Sequence, residues 1–274
     1  MYENKKIGFI GGGMVAEAII RGLILHGHNA SHIYVSDPSE KRRELLSILN
    51  KKLNLEMNNN AIVEQSEIVI MAIKPQVFMR VAEDIKSSQS KKNAMIMSVA
   101  AGIDMQQMKN IFGEKTKICR VMPNTPCLVG QGISALIQSN LTESEIVLAT
   151  YIFNSVGKTI WIQDEEWMHT ITAVSGSGPA YFFHMMNLLK LAGNKAGIPE
   201  EISKALAIQT ALGASHLALN SSDDLETLKK KVMSPGGTTE AAFDSLMENK
   251  LDNIWEEAIA SAKQRSVELG NQED

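Results

Sequence analysis

Up to about Trp161, short runs of aliphatic and β-branched residues alternate with stretches whose apolar positions recur every three or four residues. "KIGFIG" predicts a strand and "MVAEAIIRGLILHG" a helix ended by Gly27. "HIYVSD" predicts the next strand, followed by a charged helix, "SEKRRELLSILNKK". "SEIVIMAIKP", "NAMIMSVAAG", "KICRVMPN" and "ISALIQ" predict further strands, with helices between most of them. Continuously apolar strands separated by helices belong to a mostly parallel sheet covered on both faces. The expected fold class is therefore α/β, a doubly wound Rossmann-type domain.

Past "GKTIWIQDEEWMHTITAVSGSGP" the texture changes to helical patterns only. Pro179–Ala196 is apolar all round and predicts a buried helix. Pro199–Leu219 opens with Pro and two glutamates. Ser222–Val232 carries Asp223 and Asp224 at its start and Lys229–Lys231 at its end, matching the helix dipole. A last helical stretch runs from Thr238 to about Leu269, broken near Asp252, with Phe243, Leu246, Met247 and Leu251 facing a core. The expected division is a dinucleotide-binding domain over 1–162 and an all-α domain over 163–274.

Composition changes this picture little. With 274 residues, 44% apolar and 21% charged, the chain is long enough for one large or two ordinary domains. A net charge of −4 disfavours nucleic acid or an anionic membrane as a partner. No apolar run approaches the roughly 18–20 residues of a membrane span. The opening "MYENKKIGF" lacks the layout of a secretion signal, and Cys119 and Cys127 are too few for a disulfide or zinc framework, so a cytoplasmic protein with reduced thiols and no bound metal is expected.

Two glycine loops carry the candidate chemistry. Gly11-x-Gly13-x-x-Ala16 follows a strand and opens a helix, the context in which a dinucleotide diphosphate is held. Asp37 stands where an acidic residue holds an adenosine ribose. Ser36, Ser39, Lys41 and Arg42 beside it are groups that could receive a 2′-phosphate, so NAD(H) and NADP(H) both remain open. The second loop, "SPGGTT" at Ser234–Thr239, precedes another helix; the N–H groups of Gly237, Thr238 and Thr239 could hold a carboxylate, or the threonines could be caps. "AIKPQ", "CRVMPNTPCLVGQG" and "AVSGSGPAYFF" place further turn residues at strand ends and a helix start, as a shared cleft would. His26, His28 and His32 crowd one turn and read as solvated. His169, His184 and His216 stand alone, and no nucleophile triad or metal motif emerges, which leaves the chemistry to a cofactor.

In order along nearly the whole chain, "IGFIGGGMVAEAII", "AIKPQ", "SVAAGI", "RVMPNTP", "SGSGPAYFF" and "SPGGTTEAAF" resemble the pyrroline-5-carboxylate reductase family. The resemblance implies an NADP(H)- or NAD(H)-dependent enzyme that reduces the C=N bond of 1-pyrroline-5-carboxylate to L-proline. It implies an interlocked homodimer, assembled further in some cases into a ring of five dimers. On the cofactor side it implies Gly11, Gly12, Gly13, Met14 and Val15 at the diphosphate, Asn59 near the adenosine ribose, and Ala72, Ile73, Lys74 and Pro75 along the nicotinamide side. Ile10, Ser36, Asp37 and Ala100 complete the expected cofactor-binding set. The substrate would meet Asn124, Ser177, Gly236, Gly237, Thr238 and Thr239, with the Thr239 hydroxyl at the ring nitrogen as the catalytic group. Met14 replaces the family's usual Asn, and Met233 a small hydroxyl residue. A β-hydroxyacid dehydrogenase shares the layout, but Phe182 occupies the position of its lysine acid. A non-catalytic dinucleotide sensor would have no need of the second loop.

Overall fold

The computed structural model describes residues 2–270. β1 (Ile7–Ile10) passes through the first glycine loop into α1 (Met14–Leu25), and β2 (Ile33–Ser36) leads to α2 (Glu40–Leu49). β3 (Asn54–Glu56), α3 (Asn59–Gln65), β4 (Ile68–Met71), α4 (Pro75–Lys92), β5 (Met95–Ser98), α5 (Met105–Phe112) and β6 (Ile118–Met122) continue the alternation. A 3₁₀ turn at Thr125–Val129 then stands where a helix would, before β7 (Gly132–Ser139), α6 (Glu143–Asn154) and β8 (Gly157–Trp161). The sheet order is β3-β2-β1-β4-β5-β6-β7-β8. β1 to β6 are parallel, β7 runs antiparallel to β6, and β8 is parallel to β7. The short link between β6 and β7 explains the reversal, because a parallel crossover needs room for a helix.

Alternation along each strand builds two cores. Phe9, Ile68 and Ile70 join α1 and α6 through Ile19, Leu23 and Phe153 on one face. Val69, Met71 and Ile96 join α4 and α5 through Phe78 and Met108 on the other. Close packing dictates one helix glycine: a Cβ on Gly22 would sit 2.3 Å from the Ser155 carbonyl oxygen. β3 and β8 are not marked by an apolar pattern, since each lies at an edge of the sheet and none of its residues is fully buried.

α7 (Trp167–Ile171) runs into a π-helical segment, Thr172–Gly176. α8 (Gly178–Lys195), α9 (Glu200–Asn220), α10 (Leu225–Val232), α11 (Thr238–Glu248) and α12 (Leu251–Gly270) complete the chain. Packing divides it into two compact units: residues up to Ser177 with those from Ala262, and Gly178–Ser261. The change in sequence texture near Trp161 precedes the packing boundary at Ser177. The break between the last two helices falls at Lys250, whose φ is +57°.

Within the single chain α8 is not buried: Phe182 and Phe183 are 66% and 65% exposed, and α11 has no buried residue, with Leu246 and Met247 half-exposed. Two or three neighbouring helices cannot cover a helix that is apolar all round, and this unit leaves much of α8 open. Within that unit Tyr181 and Trp255 do meet edge to face, their ring centres 5.4 Å apart. Nor is His28 solvated. It is 3% exposed, with Nε2 against the Lys5 carbonyl and Nδ1 against the Tyr151 hydroxyl, and burial holds its pKa below the ordinary imidazole value.

Candidate active site

The reversal of strand order beside β1 opens a crevice at the carboxyl ends of the strands, where open α/β sheets bind ligands. The backbone there is tied strand to strand: the Gly11 N–H donates to the Ser36 carbonyl and the Ala72 N–H to the Ile10 carbonyl, both at 2.8 Å. The three glycines of the first loop are glycines for three different reasons. Gly11 has φ +91°, and a Cβ there would lie 2.5 Å from the Ala72 carbonyl oxygen. A Cβ on Gly12 would strike Leu46 of α2 at 2.8 Å. Gly13 has an ordinary φ of −63°, and a Cβ there would meet nothing within 4 Å. No internal contact requires Gly13 to lack a side chain, and the open space beside its backbone is room for an anionic group. As the N-cap of α1 it makes no side-chain capping bond, which leaves the first N–H groups of the helix for such a group. The loop fits a dinucleotide diphosphate.

Around it the predicted residues converge. Asp37 accepts from the Gly12 N–H at 2.8 Å through Oδ2 and from the Ser39 N–H at 2.8 Å through Oδ1. The Ser36 hydroxyl is buried and donates to Asn59 Oδ1 at 2.7 Å, which ties the end of β2 to the start of α3. Arg42 does not point outward as a free phosphate receptor. Its guanidinium donates to the Gly12 and Gly13 carbonyls and pairs with Glu17 at 2.5 Å. Burial alone would raise the Glu17 pKa, but bonds from Arg21 and Arg42 outweigh it and hold the carboxyl below its ordinary range. Lys74 is the N-cap of α4, with Pro75 in its first turn. Buried Ala100 donates its N–H to the Ser98 hydroxyl at the end of β5. Met14 is 68% exposed beside the loop.

At the end of β6 both ends of the Asn124 amide are engaged inside the fold: Nδ2 donates to the Ser175 carbonyl at 3.1 Å and Oδ1 accepts from the Ile133 N–H at 3.0 Å. The side chain thus bridges the start of β7 to the π-helical segment that precedes Ser177.

The second loop lies in the other unit. Pro235 and Gly236, with φ +71° at the glycine and the Gly237 N–H donating to the Ser234 carbonyl at 2.9 Å, form a turn of type II character. That bond spends the Gly237 N–H, which the sequence offered to a carboxylate. Gly237 is the N-cap of α11 with no side-chain bond, so the donors of the loop are those of Thr238 and Thr239. Neither threonine hydroxyl caps the helix. Glu240, a residue that sequence reasoning passed over, reaches back to the Gly236 N–H at 2.5 Å. Its position three residues after the N-cap is the capping-box spacing, the signal that could have found it.

Residues 165–269 match the family model for pyrroline-5-carboxylate reductase dimerisation, and residues 6–102 match that for NADP oxidoreductase, coenzyme F420-dependent. The chain is 36% identical to the pyrroline-5-carboxylate reductase of Pseudomonas aeruginosa, over 98% of each chain. It is 35% identical to that of Arabidopsis thaliana, over 97% of this chain and 96% of the relative. A pyrroline-5-carboxylate reductase structure from Coxiella burnetii superposes with a TM-score of 0.92 at 32% identity, covering 98% of this chain and all of that one. The Plasmodium falciparum pyrroline carboxylate reductase, solved with NADP bound, gives 0.86 at 31% identity, covering 98% of this chain and 99% of that one. Full-length identity at this level, joined to a dinucleotide loop and a dimerisation region in the family's order, makes this chain a member of the pyrroline-5-carboxylate reductase family, the NAD(P)H-dependent imine reductases of proline biosynthesis.

Proposed function

We propose that Thr239 and the backbone of α11's first turn hold 1-pyrroline-5-carboxylate for reduction to L-proline, while Gly11–Val15, Asp37, Asn59, Ala72–Pro75 and Ala100 bind the cofactor. The observation that carries this reading is the uncapped N-terminus of α11, where the threonine hydroxyls leave the helix N–H groups to another acceptor. Those of Thr238 and Thr239 suit the substrate carboxylate, aided by the helix dipole. Gly236 and Gly237 serve by forming the turn that aims them, and Ser177 flanks the ring. When bound, the reduced nicotinamide supplies a hydride to the imine carbon. As charge changes at the ring nitrogen, the Thr239 hydroxyl donates a hydrogen bond to it and relays a proton from water, since an alcohol is too weak an acid to act alone. Holding the ring by its carboxylate also removes most of its orientational freedom, a proximity effect.

The functional division is a dinucleotide-binding domain over 1–162 and a dimerisation and substrate domain over 163–274. The exposed apolar faces of α8 and α9 support an interlocked homodimer, with a decamer as a further assembly, readable by light scattering. Two buried free thiols, Cys119 and Cys127, suit the reducing cytoplasm. Among the described residues no helix is long and apolar enough to cross a membrane.

The test is loss of nicotinamide absorbance with 1-pyrroline-5-carboxylate. Thr239→Ala should lower kcat by about 100-fold, within the range for a lost proton-transfer group, with dinucleotide affinity unchanged. Thr239→Ser should restore most of it. Equal loss of turnover and cofactor binding would refute the role.

A further inference from the structure

We propose that Asn124 is a positioning residue that sets substrate affinity by holding the π-helical segment Thr172–Gly176 in its widened form. The proposal rests on the reading above that Ser177 flanks the substrate. A π turn is less favourable than an α turn and is found mostly at functional places in helices. Here the widened turn is closed by the Ser177 N–H donating to the Thr172 carbonyl, five residues back, at 2.8 Å. Side chains take up the carbonyls around it. The Thr172 hydroxyl donates to the Met168 carbonyl at 2.7 Å and the Ser175 hydroxyl to the Ile171 carbonyl at 3.0 Å. The Ser175 carbonyl is met from outside the helix, by Asn124 Nδ2. The same amide is pinned at its other end by the Ile133 N–H at the start of β7.

The segment is therefore tied to the sheet through one side chain that spans two elements. A second contact supports the same placement: a Cβ on Gly176 would come within 3.0 Å of Met122 Cε, at the end of β6. An extra residue in a helical turn rotates the residues after it by about 100°, the angle per residue of an α-helix. Relaxing the segment to α would turn Ser177 off its present direction. Asn124 acts on substrate through Ser177 and touches none of the reacting atoms.

Asn124→Asp separates the two ends of the bridge. A carboxylate still accepts from the Ile133 N–H but cannot donate to the Ser175 carbonyl. The expected result is a KM for 1-pyrroline-5-carboxylate raised by about tenfold, the scale of one hydrogen bond, with kcat within about twofold and the dissociation constant for NADPH unchanged. Gly176→Val places more bulk between the segment and the end of β6 than the tip of Met122 can absorb. A Cβ there already comes within 3.0 Å of Met122 Cε and 3.7 Å of Thr172 Cγ2. This variant leaves Asn124 unaltered and should raise KM in the same selective way. It decides the question if Asn124→Asp does not fold. An unchanged KM in the folded variants overturns the proposal, as does a loss of NADPH affinity in step with KM, which a general loosening would give. Thr239→Ala separates the two failures: if it keeps turnover, the site reading falls, whereas an inactive Thr239→Ala beside a wild-type KM in the other variants defeats only the role of Asn124.

Discussion

Gly13→Ala and Gly11→Ala, two positions apart in one loop, should fail in opposite ways. At Gly13 the added methyl enters open space at an ordinary φ, so the folded chain tolerates it. Alanine is a poorer N-cap than glycine, at a cost of about 1 kcal/mol or less, which lowers the melting temperature by roughly 2–4 °C. The same methyl occupies the room in which a diphosphate would approach the helix N–H groups. Losing one charge-assisted hydrogen bond, and weakening a second, costs about 2–4 kcal/mol, or roughly a 30- to 1000-fold weaker dissociation constant. At Gly11 the backbone has φ +91°, and the methyl would sit 2.5 Å from the Ala72 carbonyl oxygen. Left-handed strain alone is about 1–3 kcal/mol, and the clash is with backbone, so β1 and β4 would have to part. Calorimetric titration with NADPH and NADH, paired with thermal melts, reads both effects. Wild-type dinucleotide affinity in Gly13→Ala would refute the assignment of the first loop. A melt as depressed as that of Gly11→Ala would refute the claim that no internal contact needs Gly13.

Arg120 is buried and bonds Glu165 at 2.6 Å, while Glu165 also accepts from the Met105 N–H at the start of α5. Glu165→Ala strands the guanidinium; because Glu165 keeps some solvent, the loss should be about 2–3 kcal/mol, at or below the lower end for a broken buried pair. It would be read as a lower urea midpoint with unchanged slope, and a shift under about 0.5 kcal/mol, the scale of a surface pair, would show that the pair holds nothing. His28 makes stability depend on pH. Its folded pKa is depressed by burial, so it is held neutral, and the unfolded chain binds the extra proton as pH falls below the ordinary value of 6.5. His28 therefore destabilises the fold progressively from about pH 6.5 down to its lower folded pKa, and is neutral to stability above that window. His28→Phe should flatten this part of the melting curve against pH; an identical slope from pH 7 to 5 in both proteins would rule it out.

The strands and helices of the first unit were legible because their periods differ and every core strand is apolar on both faces. Gly11 and Gly13 could be read as a diphosphate loop from their spacing between strand and helix. Local chemistry of this kind travels with the sequence. The catalytic role of the Thr239 hydroxyl came only from the family resemblance, since a threonine after two glycines is as often a cap. What the tertiary structure decided is where side chains spend their hydrogen bonds. Asn124, Arg42, Ser36 and the Gly237 N–H all looked available to ligands, yet each is engaged with a partner inside the fold, three of them with partners distant in the chain. The burial of His28 rests on Tyr151, 123 residues away, and the reversal of β7 on pairing with β6. The apolar sequence of α8 reported hydrophobicity, but its own chain leaves it exposed, because burial depends on what lies opposite. Composition and period are properties of a segment; partners, register and cover are properties of the folded chain, and those decide which groups remain free to act.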